Sequence, residues 1–137
     1  MRRSIALVLL LCAGCSTQLT PRSVGPSFRE VFTGLYVEQQ RLLGRSVSGA
    51  DLNPLASCQR TGADKNGPGE DWLCGVQYVD TGTSTAQTFE VQVKPDGCWK
   101  ADGAPGAQPP FLVDPVTQVD VANPLAEFDG CLDLSWH

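Results

Sequence analysis

The chain has 137 residues, with fifteen Asp and Glu against ten Lys and Arg, a formal charge of −5. That length holds one domain of ordinary size. Apart from Arg2 and Arg3, the cations are scattered from Arg22 to Lys100 without a cluster, which excludes the basic face of a nucleic-acid binder and the polybasic patch that holds a protein on an anionic bilayer.

Met1-Arg2-Arg3 and the apolar run Ile5 to Leu11 lead into the small residues Ala13 and Gly14 and then Cys15. This is the pattern of a secretory leader. Its apolar run is far short of the ~20 residues that cross a bilayer as a helix. Leu11-Cys12-Ala13-Gly14-Cys15 resembles the lipobox of bacterial lipoproteins, with Cys12 standing where that family usually carries leucine and Leu11 one place further back. The resemblance implies a signal peptide over residues 1–14 and Cys15 as the first mature residue. There the thiolate, the strongest nucleophile available for a thioether link, receives a diacylglyceryl group. It implies a lipid anchor on the extracytoplasmic face of a cell membrane, with acylated Cys15 as the contact with the bilayer. Two acyl chains suffice for stable attachment, since each buried CH₂ contributes ~0.8 kcal/mol. Loss of Arg2 and Arg3 leaves eight Lys and Arg against fifteen acids, so the mature charge becomes −7. Four cysteines then remain behind Cys15, an even set that suits an oxidising compartment.

Residues 15–26 read as the lipidated cysteine and a flexible tether, rich in Ser, Thr, Gln, Pro and Gly. Its reach when extended is roughly 35 Å at ~3.3 Å per residue. A single α+β domain is expected over residues 27–137. Ser27-Phe28-Arg29-Glu30 fits a capping box opening a helix, and Phe28, Val31, Phe32, Leu35, Leu42 and Leu43 recur at helical steps on one side. Gly44 is placed to end it. Arg45 to Ser57 reads as a connection with room for one short helical turn.

Between Cys58 and Trp72 a glycine-rich loop carries Asp64 and Asn66 at the first and third positions of a calcium loop. Pro68 and Gly75 fall where later ligands belong, so no calcium site is expected. Trp72, Cys74, Val76 and Tyr78 alternate along one strand. After a polar break, Phe89, Val91 and Val93 alternate along a second. Lys94-Pro95-Asp96-Gly97 turns the chain into a third strand at Cys98-Trp99-Lys100. The fold class is therefore α+β, one N-terminal amphipathic helix packed on a small antiparallel β-meander and stapled by two disulfides. Cys58, Cys74, Cys98 and Cys131 admit three pairings. The pairing expected is Cys58 with Cys74 and Cys98 with Cys131. No Cys-x-x-Cys step is present and the one histidine is His137, so no metal centre is expected.

Ala101 to Pro110 reads as a surface loop. Phe111-Leu112-Val113 is a short strand, Thr117 to Val121 a further extended piece, and Leu125, Phe128, Leu132, Leu134 and Trp136 a docked return. The tail acids Asp114, Asp120, Glu127, Asp129 and Asp133 read as solvated. Trp72 is expected against a disulfide. Trp99, opposite Cys98 in the pleat, is expected to be exposed and to be the binding residue.

One terminal histidine leaves no Ser-His-Asp or Cys-His site, and neither a phosphate loop nor a dinucleotide fingerprint is present. No catalytic residue and no cofactor is expected. The expected function is that of a membrane-anchored, non-catalytic binding module of the cell envelope, its partner an envelope protein or glycan. The alternative is a small envelope enzyme or enzyme inhibitor acting through carboxylates or loops.

Overall fold

Val24, Phe28, Phe32 and Tyr36 follow one another at steps of four and form the buried stripe of the helix α1, Pro21–Leu42. The structure is a computed structural model and describes residues 19–103 and 107–133. Cys15, Leu134, Trp136 and His137 lie outside the described residues. The expected start at Ser27 moves to Pro21. Thr20 is the N-cap, its N–H donating to Ser23 Oγ at 3.0 Å, and Pro21 loses nothing at the first helical position, where its N–H would have had no partner. Pro26 sits inside the helix. It removes one bond, that to the Arg22 carbonyl, while Val24 and Gly25 pin the segment by burial. The tether shortens accordingly: Leu19 is buried and its carbonyl accepts from Gly67 N–H at 2.7 Å. Residues 15–18 of the expected tether lie outside the described residues. At its other end α1 closes as expected on Gly44 (φ 80°), with Gly44 N–H bonded to Arg41 O and Arg45 N–H to Gln40 O, a Schellman arrangement.

A one-turn helix α2 (Gly49–Leu52) leads to β1 (Leu55–Arg60), β2 (Gly69–Asp80), β3 (Thr83–Val93) and β4 (Cys98–Gly103). After an excursion bearing β5 (Phe111–Val113) and β6 (Asp120–Ala122), β7 (Glu127–Cys131) returns. The main sheet is antiparallel in the order β1-β2-β3-β4-β7, and β5 pairs with β6 in a hairpin of its own. The polar break before Thr88 is not a loop: β2 and β3 run through it to a two-residue turn, Thr81-Gly82, with φ of 49° and 79°, the positive values of a hairpin turn whose twist matches the strands.

The inner face of the sheet meets α1. Phe28 lies 5.5 Å from Phe89, 5.6 Å from Trp99 and 5.7 Å from Phe128 between ring centroids. Both expected disulfides are present, and each joins directly opposed residues: Cys58 with Cys74 across β1 and β2, Cys98 with Cys131 across β4 and β7. Each edge strand is thus stapled to its inner neighbour. The β1 edge is also covered by α1, where a methyl group on Gly25 would lie 3.6 Å from the Ala56 carbonyl oxygen.

The two bridges lie on opposite faces. Cys58 and Cys74 point into the core, whereas Cys131 is exposed and Cys98 half-buried on the outer face. This reverses the expectation for Trp99. With Cys98 outside, the next residue in the pleat points in, and Trp99 is 1 % exposed. It lies over Gly130, where a Cβ would stand 2.5 Å from its ring, and its Nε1–H donates to Ser27 Oγ at 2.9 Å. Trp99 is a core residue, not an exposed contact.

Candidate functional site

Asp80, at the end of β2, accepts two bonds from Arg45 (2.7 and 2.9 Å) and one from the Tyr36 hydroxyl (2.5 Å). The Arg45 guanidinium first, and the Tyr36 hydroxyl second, hold its carboxyl below the usual carboxylate range. Burial, and then the same bond to Asp80, push the Tyr36 hydroxyl well above its ordinary value. Neither group is poised to exchange protons near neutrality. A carboxyl whose pKa is lower folded than unfolded stabilises the fold above about pH 4 and loses that contribution as pH falls through the folded value. Asp80→Asn is therefore expected to melt below the parent at pH 7, the gap closing toward pH 2. A gap independent of pH would refute this role.

Beside this cluster runs a network of side-chain amides. Gln39 Nε2–H donates to Asn123 Oδ1 at 3.0 Å and to Gln108 Oε1 at 3.1 Å, Gln108 donates to Gln87 at 2.6 Å, and Gln87 to the Tyr78 hydroxyl at 2.6 Å. Asn123 Nδ2–H reaches the Pro109 carbonyl, and its Oδ1 takes Leu125 N–H. Among the described residues no buried side-chain nitrogen or oxygen lacks a partner. The network has no free member aimed at a ligand. It clamps both ends of the β5–β6 excursion onto α1 and the sheet.

The loop after β1 is organised by Arg60. Its Nε and Nη2 reach Asp71 Oδ1 at 2.9 and 2.7 Å and its Nη1 the Asn66 carbonyl at 2.8 Å. Arg60 keeps the Asp71 carboxyl low. Asp64 stands 3.9 Å from Arg60 Nη1 with its side chain 82 % exposed. Among the described residues, no group of three or more His, Cys, Asp or Glu is placed to hold a metal. No described helix is long and apolar enough to cross a membrane.

The tail acids divide. Glu127 pairs with Lys100 on the outer sheet face. Asp114 Oδ1 accepts the Val116 and Thr117 N–H groups at 2.8 and 3.1 Å, and these bonds keep its carboxyl below the usual range. Those bonds shape the tip of the β5–β6 hairpin, where Val116 is 88 % exposed and Val119 60 %; along β5, Phe111 is 59 % and Val113 51 % exposed. Leu112 and Val121, on the other side of the pleat, are half-buried. Pro115 lies 3.5 Å from where a Cβ on Gly44 would be, so the hairpin stands at the C-terminal end of α1. This apolar patch is the feature that the sequence reading missed; its one signal was valine at 116 and 119, in a turn where polar residues are usual. Comparison with known protein families, with curated proteins and with solved structures yields no match to the chain.

Proposed function

We propose that the protein is a lipoprotein held through acylated Cys15 on the extracytoplasmic face of a cell membrane, and that it works by binding another envelope component without a reaction of its own. The observation that carries the binding reading is the exposed apolar hairpin β5–β6, supported on a fully satisfied polar base. Two cross-strand disulfides suit an oxidising compartment, in keeping with the leader and lipobox that precede them. The carboxylates of Asp71, Asp80 and Asp114 are committed to guanidinium groups or backbone N–H, which counts against an enzyme that uses them.

Cys15→Ser is expected to move the protein from the membrane pellet to the soluble fraction of fractionated cells. Recovery of the variant wholly in the pellet would overturn the anchor.

A further inference from the structure

We propose that the β5–β6 hairpin is a docking surface carried at the end of the domain away from its attachment, and that its occupant is an envelope protein offering an apolar pocket bordered by Lys or Arg. The proposal rests on the anchored-binding reading above and adds where binding occurs and by what chemistry.

Placement is the first argument. Leu19, the first described residue, is packed beside Gly67 and the start of α1. From Cys15 to Leu19 the backbone spans at most about 14 Å, so a lipid on Cys15 keeps that end of the domain near the bilayer. The hairpin stands beside Gly44 at the other end of a 22-residue helix, which is roughly 33 Å long at ~1.5 Å per residue. Charge is the second. Asp120 lies opposite Val113 on the exposed face, and Asp114 begins the turn with its carboxyl kept ionised by two backbone N–H groups. Carboxylates beside the apolar row disfavour an anionic bilayer and complement a cationic rim.

Size and shape narrow the occupant further. Four side chains are enough to be the anchors that enter a partner's pocket, whereas a second copy meeting the same face would set Asp120 and Asp114 against like charge. Three are valines, which offer a glycan neither a stacking face nor a hydrogen bond. The tip is also pre-ordered: Asp114 shapes the turn and Asn123 fixes the base, which lowers the ordering cost of binding.

The test places a photo-reactive side chain at Thr117 of the full-length protein and irradiates intact cells. Expected is one protein adduct whose joined peptide borders an apolar pocket containing Lys or Arg. Its yield is expected to fall at least ~10-fold, the loss of one anchor, with Val119→Asp and with Asp120→Lys. Both positions are exposed, so both variants are expected to melt with the parent. Adducts with lipid, with a second copy of the chain or with glycan, an adduct indifferent to both substitutions, or no adduct would each overturn the proposal. Fractionation of the same cells separates the two readings. Parent protein in the pellet without the expected adduct defeats the docking surface and leaves the anchor standing, whereas parent protein in the soluble fraction defeats the anchor.

Discussion

Phe28→Ala is expected to cost the domain about 3 to 5 kcal/mol, the range for emptying a large aromatic from a closed core. Phe28 is fully buried and is the ring on which helix and sheet converge: it meets Phe32 on its own helix and Phe89, Trp99 and Phe128 on three different strands. Neighbours from four elements cannot all move inward to fill the gap, so the cavity term adds to the lost transfer energy. Two of those strands, β4 and β7, come from either side of the long excursion, and loosening Phe28 frees both from the helix. Denaturant unfolding should show a lower midpoint at unchanged slope. A loss below about 1 kcal/mol, the level of an ordinary surface change, would mean that α1 is not the lid of this core.

Removal of the disulfides is expected to weaken the fold by amounts that loop length alone does not order. The 16- and 33-residue separations give roughly 3 and 4 kcal/mol in the chain-entropy account, making the Cys98–Cys131 bridge the more valuable. Burial reverses the order for serine replacements. Cys58 and Cys74 are 2 % and 0 % exposed, so Cys58→Ser with Cys74→Ser also places two hydroxyl groups in an apolar core, each costing about 1 to 3 kcal/mol if left unbonded. Cys98→Ser with Cys131→Ser places its hydroxyls against solvent. The inner pair of substitutions should therefore be the more damaging, and mild reduction of the native protein should open the outer bridge to alkylation first. Equal labelling of all four cysteines in the folded state would contradict this assignment of faces.

What the sequence disclosed, and what it hid, follows from which signals were local. The stripe of α1, the Schellman glycine, the turn at Lys94–Gly97 and the inner faces of β2 and β3 are readable from spacing; the four cysteines admit three pairings, and it is the strand registers, Cys58 opposite Cys74 and Cys98 opposite Cys131, that select one. The start of α1 is not readable from spacing, because Pro26 and the Ser27–Glu30 pattern imitate a boundary, and only the burial of Leu19 and Val24 reveals that the helix begins earlier. The expected connection from Arg45 to Ser57 takes in the first half of β1, because Leu-Ala-Ser-Cys-Gln-Arg has no apolar alternation; it is a strand through its pairing with β2, a long-range fact. Trp99 is buried because the Cys98–Cys131 bridge lies on the outer face, a side that spacing along the strand does not specify. The period of a strand is two, so one wrong face inverts every neighbour. The hairpin was visible as two extended pieces, but its exposure depends on Leu112 and Val121 taking the inward positions, which composition does not reveal.

The most direct measurement on the anchored state is the mass of the N-terminal peptide of the protein purified from membranes. A peptide that begins at Cys15 and carries the added mass of a diacylglyceryl group is predicted. A peptide that retains residues 1–14, or that presents Cys15 unmodified, would contradict the attachment on which the placement of the hairpin depends.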